Sequence, residues 1–151
     1  SDNSVVGYIS TLPLRLNMFN RTIYPDFQEM FITAEEIETS LCPSDGGVFL
    51  SSIAVAPEYQ KRSPASLLLR LALIEDFINE CSAENQIVRI SAQALSVKGE
   101  ACMRSLGMKA RGFTTTGWRV YYGKLGRSAV YSIQGELQRK IAARFKLAVS
   151  L

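Results

Sequence analysis

The chain has 151 residues, 47% of them hydrophobic, and 17 basic against 14 acidic side chains give it a net charge of +3. That is the size of one domain able to bury its own core, and the charge excess is too small to point to nucleic acid, though it does not oppose an anionic cofactor. Histidine is absent, which excludes Ser-His-Asp and Cys-His nucleophilic sites, histidine-based zinc enzymes and any imidazole general base. Cys42, Cys81 and Cys102 are an odd count without metal-ligand spacing. They favour a reducing compartment over a disulfide framework, and no metal is expected. The N-terminus carries no signal-peptide pattern, and the most apolar run is broken by Arg70, well short of the ~20 residues a bilayer span takes. A soluble, cytoplasmic protein with no membrane partner is the expectation.

In chain order, Val5–Leu14 (VVGYISTLPL) alternates loosely and stops near Pro13, so it predicts a strand with Gly7 as a bulge. From Asn17 to Ser40 the pattern turns helical, with Phe27, Phe31, Ile37 and Leu41 spaced near three and four. Thr33 and Glu36 form a capping box, and two short helices split around Ile32 and Thr33 are predicted. Glu35, Glu36 and Glu38 make a compact acidic cluster. It is either a solvated helix N-terminus or a group that binds or deprotonates a cationic amine. Pro43–Gly47 (PSDGG) reads as a turn.

The run Val48–Ala56, rich in Val, Ile and Phe, predicts a strand that stops at Pro57. After a polar loop, Leu67–Ile78 is apolar on almost every face, with Leu67, Leu71, Ile74 and Ile78 in one stripe, and predicts a buried helix packed on a sheet. Ile87–Ala94 is the next strand, parallel to the one at Val48 because a crossover helix separates them. A short helix starts at Ser96 or Val97 and runs through Leu106, with Gly107 as its left-handed terminator. Lys109–Thr116 and Trp118–Leu125 predict a β-hairpin around Thr116 and Gly117. The tail 132–151 repeats apolar residues at Ile133, Leu137, Ile141, Phe145 and Ala148 with basic residues between them. It predicts an amphipathic helical extension that packs on the domain or on a second copy in a homodimer, with anionic membrane or nucleic acid contact as the lesser reading.

The loop between the Val48 strand and its helix carries the chemistry. Ser63 suits the N-cap and Pro64 the first helical position, and Lys61 and Arg62 stand just before the cap. The N–H groups of Ala65, Ser66 and Leu67 then open the helix, where the macrodipole is positive, and the two cations lie within reach of the same anion. The segment can hold a phosphate.

The residues Ser52-Ile-Ala-Val-Ala-Pro-Glu-Tyr-Gln60, then Lys-Arg-Ser-Pro-Ala and Leu-Leu-Leu, resemble the acyl-CoA-binding segment of the GNAT family of N-acetyltransferases. There a strand is followed by a Gln/Arg-x-x-Gly-x-Gly/Ala loop and a helix. Gln60 and Ala65 fit, while Ser63 stands where the first glycine is usual and Pro64 removes a backbone donor. Lys98–Phe113 (KGEACMRSLGMKARGF) is similar to the family's later helix, which ends in Leu-Gly before the next strand. The two similarities cover roughly the C-terminal two-thirds of the chain. The resemblance implies one α+β domain over 1–151 with a strongly bent mixed sheet flanked by helices. Relative to the family the chain begins almost at the first central strand, so the N-terminal strand and helices that commonly build part of the acceptor site would be missing.

The resemblance also implies acetyl-CoA, or another acyl-CoA, as co-substrate, its pantetheine arm entering between two splayed parallel strands. Backbone groups of Ile53, Ala54 and Val55 would bind the arm, Gln60, Lys61, Arg62, Ser63, Pro64, Ala65 and Ser66 the diphosphate, and Gln93 and Ser96 would sit at the mouth. The acceptor would be an amine, on a small molecule or a protein, attacking the thioester directly. The tyrosine that often protonates the leaving thiolate is replaced by Met103, and the glutamate used as base in histone-type members falls at Phe49. The substitutes available are Glu36 or Glu38 as base and Tyr121 or Tyr122 as acid, with Cys102 lining the thiol channel. An acyl-cysteine intermediate is disfavoured, because no histidine can deprotonate a thiol of pKa ~8.5. The alternative is a degenerate member that keeps the fold as a binding or interaction domain.

Overall fold

A computed structural model describes residues 4–43, 45–61, 63–81, 83 and 85–149. The elements are β1 (Gly7–Arg15), α1 (Leu16–Arg21), β2 (Gly46–Val55), α2 (Ala65–Glu80), β3 (Val88–Ala94), α3 (Val97–Ser105), β4 (Lys109–Phe113), β5 (Arg119–Leu125) and α4 (Arg127–Val149). The five strands form one open mixed sheet in the order β1-β2-β3-β5-β4, and helices flank it, which is the α+β class expected. β2 and β3 are parallel across the α2 crossover, and every other pair is antiparallel.

Because side chains alternate along a strand, the sheet has two apolar faces. Val48, Leu50, Ile90, Ala92 and Tyr121 meet Leu73, Ile74 and Phe77 of α2, Met103 and Leu106 of α3, and Leu137 and Ile141 of α4. Phe49 points the other way, into a smaller cluster with Leu14, Met18, Phe19 and Phe27, where the Phe27 and Phe49 rings meet edge to face at 5.4 Å. Gly47 is what lets the Phe19 ring lie on β2, since a Cβ there would overlap it. On the same face Thr22 and Ser91, both fully buried, share a 2.6 Å hydroxyl hydrogen bond.

Several local expectations need correction. Gly7 is not a bulge: it pairs regularly with Val55, and the irregularity in β1–β2 lies between Ser10 and Thr11. The Asn17–Ser40 segment does divide around Ile32 and Thr33 as expected, into Glu29–Phe31 and Ala34–Glu36, but after α1 each piece is only a single 3-10 turn, and the Thr33 side chain makes no capping hydrogen bond. Hydrophobic spacing there reflects anchors that drop onto the sheet, Phe27 above all, rather than a continuous helical stripe. Gly46 and Gly47 belong to β2 rather than to the preceding turn, whose Ser44 lies outside the described residues. α2 is not apolar throughout: Leu68 is 44% exposed, while Arg70 is 9% exposed and counts among the buried residues.

α3 ends as its sequence suggests. Gly107 has φ +81, its N–H donates to the Arg104 carbonyl, and the Met108 N–H reaches back to Met103, a Schellman closure. The tail helix starts at Arg127, five residues before 132, and packs on α2 through Leu137 and Ile141, with Phe145 exposed. Arg127, Val130 and Tyr131 lie by the end of α2, around a cavity of about 110 Å³, whereas Arg144 reaches the loop at its start. α2 and α4 are therefore antiparallel.

The cysteine reading is also revised. Cys42, ahead of β2, and Cys81, at the end of α2, form a disulfide with a Cα–Cα distance of 5.7 Å, and Cys102 is the free thiol. The odd count concealed a pair 39 residues apart, so the cysteines give no support to a reducing compartment. No helix among the described residues is long and apolar enough to cross a membrane. Unreduced protein treated with an alkylating agent should take up one adduct, at Cys102, and Cys42→Ser with Cys81→Ser should lower unfolding free energy by about 3–4 kcal/mol in urea titrations. Three adducts, or an unchanged midpoint, would show the pair unlinked.

Candidate functional site

The site begins with one extra residue. In the β1–β2 ladder Ser10 faces Ser52 and Thr11 faces Leu50, which leaves Ser51 as a bulge in β2. A bulge bends its strand and sharpens the local twist, and here the parallel ladder ends at the same place: β2 and β3 pair only through Val48–Leu50 and Ile90–Ala92. Beyond that fork β2 stays with β1 through Ser52–Val55, while Gln93 and Ala94 stay with β5. The two strands thus part as the notion of splayed strands requires, and the backbone edges that face each other across the gap have no ladder partner.

A cavity of about 1010 Å³ fills the gap. Its floor is the fork, Leu50 and Ala92; one wall is the start of α2 with Ser66, Leu67 and Arg70; another is α3 with Cys102 and Met103; and Lys140 and Arg144 of α4 close it from outside. Arg70, Lys98, Lys140 and Arg144 line this space, and no Asp or Glu does among the described residues. Arg70 is the unusual one. It is 9% exposed, its Nε–H donates to the Ser66 carbonyl at 3.0 Å and its guanidinium to Ser105 Oγ, and no carboxylate pairs with it among the described residues. A guanidinium removed from water without a counter-charge favours an anion beside it. No group of three or more potential metal-ligating side chains occurs among the described residues.

The α2 entrance differs in register from the expectation. Pro64, not Ser63, is the cap, Ala65 is the first helical residue, and the first helical bond runs from Leu68 N–H to the Pro64 carbonyl. Ser63 Oγ still serves the helix start by accepting the Ala65 N–H at 3.1 Å, so that amide is taken. Ser66 and Leu67 are the first-turn residues on the cavity, and their N–H groups have no partner within the helix. Gln60 does not reach outward: its side-chain amide donates to the Val55 carbonyl at 2.8 Å and ties the loop to the end of β2.

Of the sequence-predicted binding residues, Ile53, Val55, Gln60, Ser63, Ser66, Gln93 and Ser96 line the cavity, and Ala54, Lys61, Pro64 and Ala65 do not. Arg62 lies outside the described residues. Ser96 is engaged in capping α3, its Oγ accepting the Gly99 N–H at 3.0 Å.

The three catalytic candidates are not brought to the cavity. Glu38 sits at the far end of the sheet, its N–H bonded to Pro13 and its carboxylate paired with Arg15 at 3.2 Å. Glu36 is next to it, on the turn held by the Leu14–Ile37 bridge. Tyr121 is fully buried, its hydroxyl donating to Glu100 at 2.9 Å and accepting from Arg104 at 3.0 Å. Burial, reinforced by Glu100, pushes the Tyr121 hydroxyl up from its ordinary value. The hydrogen bond from Tyr121, with Arg119 contributing, holds the Glu100 carboxyl below the usual carboxylate range. Tyr122 faces the opposite side, beside Phe19 and under Arg111.

A carboxylate does bond to a residue of the cavity wall, though it does not line the cavity itself: Glu29, which sequence reasoning did not single out. Its Oε1 accepts a short hydrogen bond from the hydroxyl of Ser51, the bulged residue on the cavity wall. Gln93, on the other strand of the fork, sits 3.5 Å from the Phe27 carbonyl in the same connecting segment. Nothing in the local sequence marks Glu29, because the turn and the bulge that join it to Ser51 depend on the β1–β2 register.

Comparison with protein-family models, with curated proteins and with solved structures finds no match to this chain.

Tyr121→Phe should leave ligand affinity at the cleft within about twofold while costing ~1 kcal/mol of stability for the lost hydroxyl bonds. The Glu100 contribution is present above the ordinary carboxylate range and fades as pH falls through its lowered folded value, so the variant's penalty should shrink in acid. Urea titrations across pH check this, and a large loss of affinity would place Tyr121 in the site.

Proposed function

We propose that the chain is an acyl-CoA-dependent N-acyltransferase with a GNAT-like arrangement, moving an acetyl or other short acyl group to an amine. The observation that carries this reading is the cleft opened by the Ser51 bulge, whose charged lining among the described residues is wholly basic and includes a buried arginine with no carboxylate partner among them. A coenzyme A thioester is a long polyanion with an amide-rich arm, and the residues fit that description. Ser66, Leu67 and Ser63 at the α2 entrance suit the diphosphate. The unpaired edges of Ile53, Val55 and Gln93 suit the arm, and Leu50 and Met103 give an apolar end to the cleft.

Direct transfer needs no covalent nucleophile from the protein; it needs the thioester carbonyl polarised and the amine deprotonated. A backbone N–H of β2 past the fork is the donor available for the carbonyl oxygen. Glu29 replaces Glu36 and Glu38 as base in this proposal: an ammonium with pKa near ~10 gives up its proton through the Ser51 hydroxyl to the Glu29 carboxylate. The acceptor is then a cation drawn toward the Glu29 carboxylate behind Ser51, on a small molecule or a protein. Neither Tyr121 nor Tyr122 lines the cleft to replace the missing tyrosine acid, and Met103 stands in its place, which favours a leaving thiolate protonated from water. The same vacancy favours a second reading, a domain that binds an acyl-CoA without turnover.

Calorimetric titration should show acetyl-CoA bound, and incubation with a panel of di- and polyamines should release its thiol. Glu29→Gln should slow release by about 10²-fold with acetyl-CoA affinity unchanged. Binding without thiol release would establish the second reading, and no binding would overturn both.

A further inference from the structure

We propose that α4 is part of the ligand site, its Lys140 and Arg144 forming a clamp for a phosphate on the ribose end of the nucleotide, separate from the diphosphate subsite at the start of α2. This rests on the acyl-CoA reading above and names a specificity that reading does not contain. Lys140, Ala143 and Arg144 are the α4 residues on the cavity, at spacings of three and four that place them on one helix face. Lys140 and Arg144 stand one turn apart, about 6 Å along the axis, a separation that one phosphate group can bridge. The small side chain of Ala143 leaves room between them.

The helix is held for this role. Leu137 is fully buried and Ile141 nearly so, fixing α4 along α2, and Arg144 donates to the Lys61 carbonyl at 3.4 Å, joining the helix to the loop before α2. Lys140 is half exposed and, among the described residues, its one ion pair is with Glu136, at 3.6 Å, a surface carboxylate that also pairs with Arg139 at 3.4 Å. Such an exposed pair leaves the ammonium nearly at full strength for another anion. Both cations therefore stand at the mouth of the cleft rather than in its depth, where Arg70 lies. A diphosphate seated on the α2 amides leaves a coenzyme A ligand one further phosphate, on the ribose 3′ oxygen, to be met outside the cleft, and the mouth is where these two cations are. Arg139 and Lys146, on the same helix, do not line the cavity.

The test is the affinity of coenzyme A against 3′-dephospho-coenzyme A by calorimetry. The intact chain should prefer the phosphorylated form by about tenfold or more, as two charge-assisted contacts provide. Lys140→Ala with Arg144→Ala should abolish the preference while leaving dephospho-coenzyme A affinity unchanged, and Arg139→Ala with Lys146→Ala, the same loss of charge, should keep it. Melting curves confirm that the variants fold. A preference that survives in the first variant, or disappears equally in the second, overturns the clamp while leaving the acyl-CoA reading standing. Absence of binding by the intact chain overturns the reading itself.

Discussion

Everything that distinguishes this molecule from a plainly packed α+β domain follows from Ser51 having no partner across the β1–β2 ladder. With the extra residue, β2 bends, and the parallel pairing that began at Val48 cannot continue past Leu50. Ser51, the bulged residue, donates its hydroxyl to Glu29, so the same residue that opens the cleft ties its wall to a carboxylate.

Once the strands part, the helices decide what the opening can hold. α2 places its first turn at the mouth and Arg70 one turn further in; α3 contributes the apolar Met103; and α4 returns along α2 to bring two more cations. These elements are anchored by one shared core, with Phe77, Ile74, Leu106 and Leu137 all buried in it. The polar network of Glu100, Arg104, Arg119 and Tyr121 belongs to that framework. It ties α3 to β5, and its Glu100, Arg104, Arg119 and Tyr121 do not line the cleft.

The strand, loop and helix from Val48 to Glu80 were legible because a β-branched and aromatic run, a proline stop and a long apolar stretch all act locally. Gly107 was legible for the same reason: only glycine readily takes φ +81 at a helix end. What stayed hidden is what depends on distant parts of the chain. Ser51 carries no mark of a bulge, since the irregularity exists only relative to β1. The density of acid at Glu35, Glu36 and Glu38 drew attention to a segment that the Leu14–Ile37 bridge carries to the other end of the sheet, while solitary Glu29 is the one that bonds to Ser51 on the cleft wall. Tyr121 was placed on a strand correctly, but alternation turned it into the core. The Cys42–Cys81 pair and the placement of Lys140 and Arg144 on the cleft are likewise products of packing between segments far apart in sequence.

The central claim is that the gap past the β2–β3 fork receives an anionic thioester, and backbone hydrogen exchange reads that gap directly. Adding coenzyme A should slow exchange at the amides of residues 51–55 in β2 and of Ser66 and Leu67 in α2, and leave the β4–β5 hairpin and the α1 segment as they were. Unchanged exchange at both edges of the gap, at concentrations that saturate any binding, would contradict the account.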